Sequence, residues 1–367
     1  RRFVSTLSMG ERQRVEIVRC LIQETTLLIL DEPTSVLTPQ EVESLFATLR
    51  LLSAEGCSIL FISHKLEEVR ALCHNATVLR QGRVSGDCRP ADVSAKDIAR
   101  LMVGDDTPLS TDVSIATPGA TLLTVNNLSY RTDDPFGTSL KDIVFSLKEG
   151  EIVGIAGVAG NGQDELLKAL SGEIRSPRGM LKFTSRDMGA ASPVARRKMG
   201  LGVVPEERLG RGAVPGMTLV ENALLTASGF GLVKRSLVNY YKAREFASEI
   251  VARFDVRCNG IDSTADSLSG GNLQKFIIGR EALQNPKLLV ASHPTWGVDV
   301  GSAVAIHKAL VAMRDRGAAV LLISEDLDEL YQLCNRIGAI CDGRLSPLAK
   351  TPALSIEQLG RWMAGDF

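Results

Sequence analysis

The sequence predicts an α/β protein with a three-layered, mostly parallel sheet core. Three observations predict it. Short apolar runs (LLIL at 27–30, SILFIS at 58–63, LLVA at 288–291, AVLLIS at 319–324) alternate with helix-period segments, as strands buried in a parallel sheet do. A stretch from Leu7, LSMGERQRVEIVRCLIQETTLLILDEPTS, matches a second from Leu268, LSGGNLQKFIIGREALQNPKLLVASHPTW, in unbroken register. A loop reading GVAGNGQD at 157–164 has the G-x-x-x-x-G frame of a phosphate cradle, with Gln163 and Asp164 where such a loop needs Lys and Ser/Thr.

The bulk numbers set the limits. A chain of 367 residues, 44% hydrophobic and 23% charged, fits an ordinary globular protein of two to three domains. Its net charge of -1 gives no bulk field to attract nucleic acid or an anionic membrane. No apolar run approaches the roughly 18 residues that span a bilayer. Seven cysteines with no C-x-x-C pair fit reduced cytosolic thiols rather than disulfides or zinc. The start, RRFVSTLS, is neither a signal peptide nor an initiating Met, so the chain is expected to be cut at its front.

The repeat sets the domain organisation. Its offset is constant at 261: Gly271 stands against Gly10, Pro294 against Pro33, Cys334 against Cys73 and Gly343 against Gly82. Roughly a quarter of positions are identical over about 78 residues, so one domain type occurs twice. The second copy has residues 121–267 ahead of its LSGGN, including the glycine loop, whereas the first has only residues 1–6 ahead of its LSMGE. The first copy thus lacks a phosphate loop. Residues 1–104 read as the later part of one copy, 105–120 as a polar, Pro-punctuated linker, and 121–367 as a complete second copy.

In the first copy LLILDEP ends a buried strand in two acids, at the edge where open α/β sheets bind ligands. Asp31 is placed to hold Mg²⁺ through water and Glu32 to orient an attacking water as general base. Taken alone, such a pair fits a solvated turn equally well. Thirty-two residues beyond Glu32, His64 follows the next strand, where it can hydrogen-bond a γ-phosphate oxygen. In LSGGNLQ, Ser269 reads as a helix N-cap, with Gly270 and Gly271 leaving N–H groups bare at the positive end of the helix dipole. In LSMGERQ, Met9 replaces one glycine, and Ser8 and Glu11 form a capping box that uses the same N–H groups internally.

LSGGNLQ, LSMGERQ, LLILDEPTSVLTPQE with His64, and the glycine loop together resemble the ATP-binding cassette (ABC) ATPases over essentially the whole chain. The resemblance implies P-loop NTPase-like cassettes with a helical signature subdomain, one partial and one complete. It implies two cassettes pairing head to tail within one full-length chain, with ATP and Mg²⁺ as cofactors. Carried over residue by residue, it assigns catalysis to Glu32 and His64 and the metal to Asp31. Nucleotide contacts fall to Gly157, Gly160, Asn161, Gly162, Gln163 and Asp164 of the loop, and to Ser8, Gly10 and Gln13 of one signature. Ser269, Gly270, Gly271 and Gln274 are those of the other. Tyr130 is the aromatic that stacks on adenine, and Glu206 of GVVPEER lies in the Q-loop, which contacts a permease.

GNGQ, VPEER, LSGGNLQK and PTWGVDVG most resemble the ATPase subunits of bacterial simple-sugar and nucleoside importers, and EPTSVLTPQE leans toward the nucleoside branch. That implies integral-membrane permease partners, a periplasmic or lipoprotein solute-binding protein indirectly, no nucleic acid, and a peripheral place on the cytoplasmic face of the plasma (inner) membrane. Two alternatives stand beside it. A soluble fused-ABC factor acting on ribosomes or nucleic acid carries a long charged connector and two competent sites; a noncatalytic pseudo-ATPase fragment needs neither.

By the 261 offset, Ser292 replaces Asp31, His293 replaces Glu32, and Glu325 replaces His64. At the loop, one unit charge at ~4 Å is worth roughly 4 kcal/mol at an effective dielectric near 20. Losing a Lys and gaining Asp164 should therefore weaken triphosphate binding unless Mg²⁺ bridges Asp164. One working site and one degenerate site are expected, and this chain alone is expected to be inactive.

Overall fold

The computed structural model describes residues 15–20, 22, 25–34, 39–63, 65–80, 82–94, 97–98, 101, 118–135, 137–234 and 237–367. It divides into two units, Arg1–Thr111 with Asp299–Val304, and Asp112–Val298 with Ala305–Phe367.

In the first unit, β1 (Leu27–Asp31) pairs in parallel with β2 (Ser58–Ile62), and β3 (Ala76–Arg80) pairs antiparallel with β4 (Arg83–Cys88). Helix α1 (Pro39–Ala54) follows β1 and helix α2 (Leu66–Leu72) follows β2. Leu28, Leu30, Leu45 and Leu49 form the core, the apolar faces of strand and helix meeting as their periods require.

The second unit begins with β5 (Thr121–Tyr130) and β6 (Leu140–Lys148), then β7 (Ile152–Ala156), the glycine loop and helix α3 (Gln163–Ser171). There follow β8 (Leu181–Phe183), β9 (Arg186–Asp187), helix α4 (Pro193–Lys198), β10 (Leu201–Val204), and helices α5 (Leu219–Ala227), α6 (Tyr240–Arg253) and α7 (Gly270–Ala282). The chain then runs through β11 (Leu288–Ser292), α8 (Val300–Asp315), β12 (Ala319–Ser324), α9 (Leu327–Leu333), β13 (Arg336–Cys341), β14 (Arg344–Leu345), β15 (Ala349–Lys350) and α10 (Ile356–Met363). The main sheet has the order β10-β11-β12-β7-β13-β14, with β15 also on β13. The β10 to β13 pairings are all parallel. β7, β11 and β12 are buried along their whole length, as the continuous apolar runs predict for a sheet covered on both faces. A four-stranded antiparallel sheet, β6-β5-β8-β9, shares its core with the main sheet and α3. A separate helical core joins α5, α6 and Phe276 of α7; α5 starts with a capping box of Thr218 and Glu221.

The repeat is visible in the fold at the same offset. α1 and α8 correspond residue for residue, as do α2 and α9. Asp31 pairs with Ile62 as Ser292 pairs with Ile323. The helix-ending Cys73 and Cys334 share one backbone conformation, φ -90 and ψ 140 against φ -91 and ψ 141. No helix among the described residues is long and apolar enough to cross a membrane.

Candidate functional site

Because β7, β10, β11 and β12 are parallel neighbours, their carboxyl ends lie along one edge of the sheet, where an α/β sheet offers a crevice. Four segments of the second unit issue there: the loop Gly157–Gly162 after β7, Glu206 after β10, His293 after β11, and Glu325 after β12.

The glycine loop turns directly into α3. Its last residue, Gly162, caps the helix at φ 109, and a Cβ there would press on Leu140, Ile340 and Gly343, so only glycine serves. Thr138 Oγ1 donates to Gly160 O at 2.6 Å, Asp342 N–H to Asn161 Oδ1 at 2.9 Å, and Gly343 N–H to Asn161 O at 3.0 Å. The loop is thereby fastened to its surroundings without a ligand.

Two loop residues depart from the expected roles. Gln163 is buried, and its amide is used by the loop itself: Oε1 accepts Asn161 N–H at 2.9 Å and Nε2 donates to Val158 O at 2.8 Å. In this conformation it does not face a phosphate. Asp164 was expected to set an unbalanced anion at the loop, but Lys168 and Arg211 each pair with it at 2.6 Å. Burial alone would push its carboxyl up; the hydrogen bonds from Lys168 and Arg211 outweigh burial and hold it below its ordinary value. Arg211 also reaches Glu173 at 2.9 Å.

In the signature, Ser269 is the N-cap of α7 with extended backbone, and its side chain caps no backbone N–H; its Oγ accepts from Asn272 Nδ2 at 2.8 Å. Ser269 and Gly270 are exposed at the helix start, whereas Gly271, expected to leave its N–H bare, is buried, so only the first position of the turn is open to an anion. Arg208 lies over this end: a Cβ on Gly270 would come within 2.5 Å of its Nη1. Gln274, expected to contact nucleotide, is instead fully buried, and neither its Oε1 nor its Nε2 has a partner among the described residues. α7 is buried nearly all round, so its second turn presents no face to a ligand. Tyr130 ends β5 opposite Leu140, half-buried against the core.

Asp31 stands exposed at the tip of β1, and Glu32, half-buried, takes the left-handed conformation at φ 45 while its N–H bonds Ile62 O at 2.9 Å. At the offset position, His293 has φ 46 and bonds Ile323 O at 2.8 Å. One turn geometry therefore presents a carboxylate in one copy and an imidazole in the other. His293 is buried, with Nε2 3.9 Å from Glu206 Oε2. Ser8, Gly10, Gln13 and His64 lie outside the described residues, so the expectations placed on them stay as stated.

Sequence reasoning missed a buried acid behind each turn. Glu329 accepts from Thr295 Oγ1 at 2.7 Å and Ser324 Oγ at 2.7 Å, and contacts His307 Nε2 at 3.0 Å. Burial alone would raise its carboxyl, but His307, Ser324 and Thr295 outweigh it and hold it below its ordinary value. In the first unit Glu68 accepts from Thr34 at 2.7 Å and Ser63 at 3.2 Å. The signal was present in the sequence: Thr34/Thr295, Ser63/Ser324 and Glu68/Glu329 are identical pairs at the 261 offset.

Burial pushes the His293 imidazole below its ordinary value, against the opposing pull of Glu206 and Glu329. The neutral form is thus the one the fold favours. The unfolded chain takes up a proton near pH 6.5, so this contribution is full above that pH and is lost as pH falls through the lowered native value. His293→Asn keeps a residue that tolerates the left-handed turn and removes the titration. Urea midpoints at pH 7.5 and 5.5 are expected to differ less in His293→Asn than in the parent; an equal or larger difference would refute the assignment.

A family model described as ABC transporter matches residues 1–35 and 140–296. The nucleoside import ATP-binding protein NupA of Lactococcus lactis subsp. cremoris (strain MG1363) is 39% identical over 363 residues, 99% of this chain and 72% of that protein. The glucose import ATP-binding protein TsgD13 of Haloferax volcanii is 40% identical over 98% of this chain and 66% of its own length. The guanosine import ATP-binding protein NupO of Bacillus subtilis (strain 168) is 38% identical over 98% of this chain and 70% of its own length. Among solved structures, a dimeric ATP-binding cassette in a post-hydrolysis state with ADP and Pi superposes with a TM-score of 0.55 at 21% identity, over 63% of this chain and 99% of that one. That likeness is one of fold alone.

Proposed function

This chain belongs to the ABC transporter family, and we propose that it is the ATP-binding subunit of an importer for a nucleoside or simple sugar. Similarity to three import ATP-binding proteins over 98 to 99% of the chain carries this reading. Its partners are then integral-membrane permease subunits, met from the cytoplasmic face of the inner membrane, and, through them, a solute-binding protein.

Two copies of the cassette fold, the first partial here, pair within one longer chain, and hydrolysis belongs to one of two sites. Bound ATP would supply the phosphoanhydride that water cleaves. On the first copy Glu32 holds the water and accepts its proton and His64 bonds the γ-phosphate oxygen; on the second, the exposed helix start at Ser269 and Gly270 offers a place for an anion. Asp31, an exposed carboxylate at a strand tip, fits a Mg²⁺ held through water; Ser292 at the matching place offers no charge.

The sequence contains no G-x-x-x-x-G-K-S/T stretch. Steady-state phosphate release by the 367-residue chain is therefore expected to be negligible, and release by a protein extended to the length of its relatives to be robust and raised by the permease. Robust turnover by the 367-residue chain alone would overturn the single-site reading.

A further inference from the structure

The phosphate loop of the second unit does not fit a nucleotide as it stands. Gln163 occupies both the Asn161 N–H and the Val158 carbonyl, and Asn161 Nδ2 donates to that same carbonyl at 2.9 Å. A Cβ on Gly157 would lie 2.7 Å from Gln163 Nε2, so the amide fills the floor of the loop. Two cations nevertheless stand at its rim, Lys168 one turn along α3 and Arg211 on the segment that follows Glu206. Both are held by the carboxylate of Asp164, the residue in the loop's Ser/Thr position.

We propose that Asp164 is a built-in substitute for a nucleotide phosphate: an internal anion that holds Arg211, and with it the 206–211 segment, against the phosphate-loop helix whether or not nucleotide is present. The proposal rests on the single-site reading above and says how the second site is regulated. In a cassette whose loop binds ATP, occupancy of the loop and placement of the segment after β10 can rise and fall together. Here the ion pair fixes the second without the first. Stability does not account for it, since Asp164 and Arg211 are 45% and 26% exposed and such pairs contribute little to folding. What the carboxylate does is set the position of a loop and engage two cations that a nucleoside di- or triphosphate would otherwise find.

The test uses the 367-residue chain and a fluorescent ATP analogue, in a Glu32→Gln background so that no turnover intrudes. Asp164→Ser removes the carboxylate from Lys168 and leaves Arg211 with Glu173 alone, and is expected to tighten analogue binding about tenfold or more, well within what one charge contact can supply. Adding Arg211→Gln should abolish the gain. Adding Gln163→Lys to Asp164→Ser, which takes the Gln163 amide off the Val158 carbonyl and the Asn161 N–H, should tighten binding further. Hydrogen exchange gives an independent readout: amides of residues 206–212 should exchange slowly in the parent at any nucleotide concentration, faster in Asp164→Ser, and slowly again once the analogue is bound. Unchanged affinity and unchanged exchange in a folded Asp164→Ser protein would overturn the proposal. So would a parent that already binds the analogue as tightly as the variant, or a gain that survives Arg211→Gln. None of these results bears on phosphate release by the longer protein, which tests the single-site reading separately.

Discussion

Glu32→Gln, in a protein extended to the length of this chain's relatives, is expected to lower ATP turnover about 10²–10⁴-fold, the range for loss of a positioned general base, while leaving nucleotide affinity nearly unchanged. Glu32 is assigned to the water rather than to the phosphate, so its loss should appear in kcat and not in binding. The structure supplies the comparison within one chain. Glu32 and His293 occupy the same left-handed turn, φ 45 and φ 46, each fastened by its N–H to the neighbouring strand. Behind each turn stands the same Thr, Ser and Glu arrangement. The presented group differs, and so do Asp31 against Ser292, His64 against Glu325, and Phe46 against the His307 that contacts Glu329. His293→Ala in the same longer protein should therefore change kcat far less than Glu32→Gln does. Phosphate release by both variants, with analogue binding measured in parallel, decides the matter; equal losses would show that the second copy also turns over ATP.

The repeat explains how much of this was legible. The strand tips, the glycine loop and the signature cap are local patterns, and each fell where its period and punctuation placed it. A constant offset carried the alignment through two helices without a slip. Side-chain partnerships across the fold are another matter. Asp164 and Arg211 meet across 47 residues, and nothing in the sequence around either says so. Reading Asp164 as a bare charge was reasonable for a loop taken alone and wrong for a loop with two cations at its rim. Gln274 was drawn into the site by its motif, although Leu273, Phe276, Ile277 and Ile278 around it marked a helix buried nearly all round. Gln163 shows the same limit in a milder form. A neutral amide can satisfy a carbonyl and an N–H at once, so the glycine frame can close on itself with no cation and no ligand.

The largest effect on stability is expected at Arg196, which no motif marks. The residue lies on α4, fully buried, and its guanidinium is spread over four backbone carbonyls: Leu170 O at 2.7 Å, Gly189 O at 3.0 Å, Ala191 O at 3.1 Å and Ala169 O. Ala169 and Leu170 sit in the last turn of α3, the helix whose first turn carries the phosphate loop. Beside the C-cap residue Gly172, the Arg196 side chain thus caps the C-terminal end of that helix, placed where the dipole is negative and the last carbonyls lack helical donors. Burial pushes its pKa down to about 10, still above neutrality, so the cap remains charged at pH 7. A buried cation balanced by carbonyl dipoles costs desolvation, and replacing buried ionic groups with apolar ones is sometimes neutral or better. Here the carbonyls decide the sign. Met in place of Arg would leave Leu170, Ala191 and Ala169 without the guanidinium donors, while Gly189 O, which also receives Ser176 N–H at 3.0 Å, loses least. At about 1–3 kcal/mol for each buried group left unbonded, the loss exceeds the relief of desolvation, and Arg196→Met should cost about 3–5 kcal/mol. Urea unfolding checks the total, and hydrogen exchange along 163–174 checks its place, since α3 should lose protection from its C-terminal end. Arg196→Lys, which retains the charge but only part of the donor fork, should fall between the two. A parent-like midpoint for Arg196→Met would mean that water takes over the carbonyls and that the cap contributes nothing to holding the phosphate-loop helix in place.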